Sequence, residues 1–132
     1  MEDFTKRVMD GNCIVPPTVC LEAFNQHFTR AQEAEWYENS NFYEAIFFQD
    51  NIEYIAEFNK NGSFLKYKMY LPDNLLPAII KSQLETKGEI MNTVLINKGD
   101  GIIYEVIYRD KQLNRYLILL NNLGKVLSEN LL

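Results

Sequence analysis

Histidine is almost missing from this 132-residue chain, with His27 as its only example. That leaves a Ser–His–Asp or Cys–His nucleophilic pair one place to form, and His27 sits beside the apolar stripe of a helical segment, where packing is its ordinary role. Cysteine is scarce too, since Cys13 and Cys20 stand alone. One His and two Cys supply no fourth ligand for a zinc site. The two thiols can pair across Pro16-Pro17 in an oxidising compartment, or stay free with Cys20 packed in a helix. Grouped basic residues are also absent. With 13 Lys and Arg against 18 Asp and Glu, the net charge is −5, which excludes the phosphate neutralisation that nucleic-acid binding needs and disfavours anionic membranes. No apolar run approaches the ~20 residues of a membrane span. The first residues, Met1-Glu2-Asp3-Phe4-Thr5-Lys6-Arg7, are charged and have no apolar h-region, so no signal peptide is expected in this chain. Nothing in the composition calls for a cofactor.

Apolar and aromatic residues are plentiful, at 47% and 13% of the chain. This is the composition of a folded domain, and one of this length buries roughly two thirds of its unfolded surface. Residues 1–15 carry no clear period and read as an N-terminal arm. Residues 16–132 read as a single domain made of two repeats, 16–71 and 72–128. After Pro17, the residues Val19, Cys20, Ala23, Phe24, His27, Phe28 and Ala31 fall on one face at helical spacing, which predicts a helix of about 14 residues. A short strand around Ala34 to Glu38 follows. Strands are then expected at 43–48, 52–58 and 64–70, with an Asp50-Asn51 turn and an Asn61-Gly62 turn between them. One face collects Tyr43, Ala45, Phe47, Tyr54, Ala56, Phe58, Leu65, Tyr67 and Met69. The other is mixed, which fits an antiparallel sheet with helices on one side only. In the second half, Asp73 or Asn74 is expected to cap a helix with Leu76, Ile79, Ile80 and Leu84 inward and Gly88 at its C′ position. Strands at 89–97, 102–109, 113–121 and 125–127 complete the chain, with Gly99-Asp100-Gly101 and Asp110-Lys111 as turns.

The two halves superpose as text. Pro17, Val19, Cys20 and Phe24 fall on Pro77, Ile79, Ile80 and Leu84, sixty residues on. Tyr43-Glu44 falls on Tyr104-Glu105, while Tyr54, Asn59, Gly62 and Leu65 fall on Tyr116, Asn121, Gly124 and Leu127. A period of this size reads as a duplicated unit rather than a solenoid. The expected fold class is therefore α+β. Two tandem helix-plus-four-strand antiparallel units would form one continuous curved sheet with both helices on one face.

Several of these residues carry a resemblance: Pro17 before a helix with Phe24 and Phe28, then Ala34-x-Trp36, Tyr43-x-Ala45-x-Phe47 and Tyr54-Ile55-Ala56-x-Phe58-x-x-x-Gly62-x-x-Leu65. A Leu76-Pro77 helix start and a closing segment from Tyr116 to Leu127 with Gly124 complete the set. Over residues 16–128 the chain resembles the PepSY-like proteins of Bacteroidetes, whose fold is similar to the β-lactamase inhibitory protein. The resemblance implies no enzymatic activity, an open sheet face that grips a partner, and a periplasmic or cell-surface location. The chain departs from that pattern in lacking an export signal and the inhibitor's paired disulfides, so β-lactamase inhibition itself is not implied.

Chemistry-bearing motifs are weak. Gly99-Asp100-Gly101 is too short for a phosphate loop, and no helix follows it. Asp50, Asn51 and Glu53 lack the run of oxygen ligands that calcium takes. Glu33, Glu35 and Glu38 near Trp36 are the one carboxylate group that could serve acid–base chemistry, against the plainer reading of a solvated edge. Trp36 reads as core, and alternation turns Tyr37 toward the open face. The main lead is apolar: Ile46, Phe48, Ile55, Ile107, Leu117 and Leu119 fall on the strand face turned away from the helices, where grouped apolars mark a partner surface. Glu57, Lys66 and Lys68, with Glu44, supply a polar rim. The expected function is a non-enzymatic binding module holding a protein, peptide or small ligand on that face. The alternatives are a homodimer or other self-association through the same face, and a small enzyme working at Glu33, Glu35 or Glu38.

Overall fold

Pro17 and Pro77 open the two helices, and each acts as the N-cap without a side-chain hydrogen bond. A computed structural model describes residues 13–132. The expected N-terminal arm thus lies outside the described residues except for 13–15. The chain is α+β, with elements running α1 (Thr18–His27), β1 (Gln32–Glu38), β2 (Phe42–Gln49), β3 (Ile52–Asn59), β4 (Phe64–Tyr70), a 3₁₀ turn (Asp73–Leu75), α2 (Ala78–Glu85), β5 (Glu89–Asn97), β6 (Ile102–Arg109), β7 (Arg115–Asn121) and β8 (Val126–Leu131). The eight strands form one open antiparallel sheet in chain order. Contacts divide the chain into two compact units, Met1–Lys68 and Met69–Leu132.

In the first unit, α1 lays Cys20 and Phe24 on the sheet, and the chain leaving the helix adds Phe28. They meet Trp36, Ala45, Phe47, Ala56 and Phe58, the residues that alternation turns to that face. Phe24 lies 4.9 Å from Phe47 and 5.4 Å from Trp36, both edge-to-face, the arrangement that aromatic quadrupoles favour. Burial pushes the Cys20 thiol pKa up. In the second unit, Ile80 and Leu84, one turn apart on α2, are buried, as are Tyr104, Val106, Tyr108, Ile118 and Leu120 of β6 and β7. Lys87, just beyond α2, reaches Glu129 of β8 at 3.3 Å, and Glu129 accepts a short hydrogen bond from the Tyr108 hydroxyl. These contacts set α2 over the Tyr108 face.

Three hairpins repeat one five-residue loop. The side chains of Asn59, Asp110 and Asn121 each accept two backbone N–H groups, from residues two and four further on. The fourth position is left-handed in all three: Gly62, Leu113 and Gly124. Side-chain capping of this kind satisfies donors the ladder has lost. The β2–β3 hairpin differs. It has Asp50 and Asn51 both left-handed between Gln49 and Ile52, the tight two-residue geometry that matches strand twist.

Some expectations are corrected. Helix α1 has 10 residues rather than about 14, because Phe28 leaves the helical region while staying buried; the apolar stripe outlasts the helix. Asp73 and Asn74 do not cap α2 and lie in the 3₁₀ turn. Ile79 is 62% exposed, since an eight-residue helix turns only two of its residues fully inward. Gly88 is not left-handed: a Cβ there would lie 2.2 Å from the carbonyl oxygen of Arg109, so space selects glycine. Phe64, not Leu65, packs on the first core. Ala34 is exposed because a bulge between Gln32 and Glu35, with Glu33 left-handed, breaks the alternation. Strand β7 starts at Arg115 rather than 113 because the loop closes from Asp110 to Asn114. His27 is exposed and stacks on Phe64 at 4.5 Å, rather than being partly buried.

Candidate partner-binding face

Strand registers turn the face opposite the helices into rows. In the first unit, Glu35, Ile46 and Ile55 form one row; Tyr37, Glu44 and Glu57 form the next; and Phe48 pairs with Glu53. Ile46 and Ile55 are only 4% and 3% exposed, although they lie opposite the helix. They occupy central strands, flanked on β1 by Glu35 and Tyr37. Phe48, near the strand end, remains exposed. Lys66 and Lys68 are half-buried on β4. The Phe48 neighbour Glu53 is partly desolvated, which holds its carboxyl above the usual range.

Glu44 and Glu57 stand directly opposite one another and both are buried. Like charges in that position repel. Asn39 donates to Glu44 Oε1 at 2.6 Å, and the Lys66 ammonium lies 4.0 Å from Glu57 Oε2. Both contacts offset the repulsion. Alongside them, the Tyr37 hydroxyl donates to Glu35 Oε2 at 2.7 Å, and Cys13 Sγ lies 3.6 Å from both of those oxygens. The hydrogen bond to Glu35, then burial, pushes the Tyr37 pKa well up. Cys13 thus sits beside the Tyr37 side of the sheet, while Cys20 is packed in the helix-covered core. Both are free thiols, and the bridge considered from the sequence does not form.

The three candidate carboxylates do not converge. Glu35 is taken up by Tyr37 and Cys13, and Glu38 by Lys60 at 2.8 Å, whose hydrogen bond holds the Glu38 carboxyl low. Glu33 sits on the bulge and is exposed. Charged edges of this kind are solvated rather than poised for proton transfer.

In the second unit the rows are Asn92, Ile107, Leu117 and Asn130; Val94, Glu105, Leu119 and Ser128; and Ile96, Ile103 and Asn121. Ile103, Ile107, Leu117 and Leu119 are half-buried, so a grouped apolar surface borders Glu105 and the polar side chains of Asn92, Asn121, Ser128 and Asn130. Sequence reading missed Val94, Ile96, Ile103 and Glu105. A bulge between Ile90 and Asn92 shifts the phase of β5, which hid Val94 and Ile96; the Gly99-Asp100-Gly101 hairpin, which pairs Ile96 with Ile103, was the available signal. That hairpin also borders a cavity of about 340 Å³ with Lys98, Ile102, Ile103 and Asn121. No helix among the described residues is long and apolar enough to cross a membrane.

No protein-family model matches the sequence, and no curated protein matches it. Solved structures do. A BLIP-like protein from Bacteroides fragilis is 16% identical with a TM-score of 0.78, covering 90% of this chain and 88% of its own. A DUF2874 family protein from Bacteroides uniformis is 14% identical at the same TM-score, covering 89% of this chain and 90% of its own. A protein from Bacteroides eggerthii, provisionally described as periplasmic, is 15% identical, again at 0.78, with the same coverage. At these identities the likeness establishes the fold alone. It carries the inhibitor-like fold expected from the sequence and leaves the PepSY relationship open.

Proposed function

We propose that this chain is a non-enzymatic binding module that holds a protein partner on the sheet face opposite the helices. The half-buried group of Ile107, Leu117 and Leu119, from two adjacent rows of the second unit, carries the reading. An apolar centre with a polar margin is the anatomy of a protein-binding patch. The first unit carries exposed Phe48 and half-buried Lys66 and Lys68 on its own strands, with Ile46, Ile55 and Glu57 buried. The dispersal of Glu33, Glu35 and Glu38 weighs against carboxylate catalysis. The BLIP-like name of the Bacteroides fragilis protein supports a partner of protein nature, and the description of the Bacteroides eggerthii protein supports a location outside the cytoplasm. The PepSY-like relationship and the origin of the two units by duplication belong to the same reading.

The test is site-specific photo-crosslinking in native cells with the reactive group at Leu117, and at exposed Ile79 on α2 as the control. A discrete heteromeric adduct from Leu117 and none from Ile79 is the expected result. An adduct only to a second copy would replace partner binding with self-association, and equal labelling from both positions would sink the face assignment.

A further inference from the structure

The two edges of this sheet are not equivalent. Strand β1 is shielded: Ile14 bridges Trp36, its N–H donating to the Trp36 carbonyl at 2.9 Å, and the bulge at Gln32–Glu35 distorts the remainder. Strand β8 has only β7 beside it among the described residues. Its pairing with β7 has a bulge opposite Leu119 and Leu120, and its one charged side chain, Glu129, is turned inward onto Lys87 and Tyr108. Val126-Leu127-Ser128-Glu129-Asn130-Leu131 contains no Lys and no Pro, and its leucines are exposed, Leu131 by 63%. An exposed edge with open backbone groups and no Lys or Pro is a template for another strand.

From this asymmetry we infer that β8 is a homodimerisation edge, pairing antiparallel with β8 of a second copy. The register against β7 decides which groups are available. The N–H of Leu132 donates to the Arg115 carbonyl, and antiparallel ladders alternate, so Leu117–Asn130 is a hydrogen-bonded pair while the backbone groups of Glu129 and Leu131 point away from β7. A two-fold axis at Glu129 pairs these outward groups. It sets Ser128 opposite Asn130 of the second copy, both on the face away from α2, and brings the Leu127 end of one strand beside Leu131 of the other. The two Glu129 carboxylates then meet near the axis. Each is already held by Lys87 at 3.3 Å and by the Tyr108 hydroxyl, which offsets their repulsion. The second copy is the occupant the geometry favours because the arrangement closes. Head-to-tail pairing of β8 with β1 would extend without limit, and Ile14 obstructs it, whereas the isologous β8 pair uses one edge twice and stops at two chains.

The experiment is sedimentation equilibrium on the full chain over a concentration series, with Leu131→Pro and Leu127→Lys as edge variants. Leu131→Pro removes one outward N–H at the end of an edge strand, where the monomer fold tolerates proline. A concentration-dependent dimer is expected, weakened about tenfold or more by each variant, with unchanged far-UV circular dichroism. In a Cys13→Ser background, Ser128→Cys/Asn130→Cys should oxidise to a covalent dimer. A monomer at every concentration would overturn the inference. So would a dimer that ignores both edge variants, or an extended peptide that binds β8 while the chain alone stays monomeric.

Discussion

Replacing Leu113 with glycine should make this protein more stable. The loops closed by Asn59, Asp110 and Asn121 share one hydrogen-bond pattern, and only the Asp110 loop places a side chain at the left-handed position, where Leu113 has φ 68°. A non-glycine residue there costs about 1–2 kcal/mol. Glycine gives back about 0.4–1 kcal/mol by loosening the unfolded chain. Leu113 is 69% exposed, so little burial is lost. The net gain is about 0.5–1 kcal/mol, a rise in Tm of about 2–4 °C for a domain of this size. The reverse substitutions calibrate it. In Gly62→Ala the new Cβ meets the Val19 backbone oxygen at 3.0 Å, whereas in Gly124→Ala it meets the flexible Gln83 side chain at 2.9 Å. Gly62→Ala should therefore cost about 2–3 kcal/mol and Gly124→Ala about 1 kcal/mol. Thermal melts and urea midpoints on the three variants check the series. A lowered Tm for Leu113→Gly, or equal losses at Gly62 and Gly124, would refute the reasoning.

Other outcomes follow from single contacts. Thr93 is buried with its hydroxyl unpartnered, so Thr93→Val should raise stability by about 1 kcal/mol in chemical denaturation. Gly88→Ala drives a Cβ into the Arg109 carbonyl and should cost about 3 kcal/mol or more, read as a fall in Tm. The Glu129 carboxyl is held below its ordinary value first by the Tyr108 hydrogen bond and then by Lys87. Its stabilisation is therefore present above about pH 4.5 and fades as the pH falls through the lower folded value. Glu129→Gln should accordingly flatten the acid limb of a Tm-against-pH curve. Tyr108 is shifted upward by burial and by Glu129, so its contribution is full below about pH 10 and is lost in stronger alkali; Tyr108→Phe should flatten that limb instead.

Strand order and the helix-covered core were legible because alternation at Tyr43, Ala45 and Phe47, and helical spacing at Cys20 and Phe24, are each set by local geometry. Expectations failed where a bulge or a left-handed residue shifted the phase. Ala34 lost its inward place to the bulge at Gln32–Glu35, and Leu113 was read as strand because leucine rarely takes a left-handed turn. Gly88 was foreseen as glycine for its torsion angle and is required for clearance, a distinction only the Arg109 carbonyl position reveals. On the face opposite the helices, alternation identified Ile107, Leu117 and Leu119. It could not foresee that Ile46 and Ile55 would be buried, since burial there depends on side chains from neighbouring strands.

The central claim is that Ile107 and Leu117 serve a partner rather than the core. Half-buried and on the uncovered face, each should cost no more than about 1 kcal/mol when replaced by serine. The decisive measurement is the Tm of Ile107→Ser/Leu117→Ser set beside its yield of the partner adduct, with the photo-reactive group moved to the neighbouring Leu119. A Tm within about 8 °C of the parent together with loss of the adduct is the predicted result. A double variant that unfolds, or one that keeps the adduct undiminished, would contradict it.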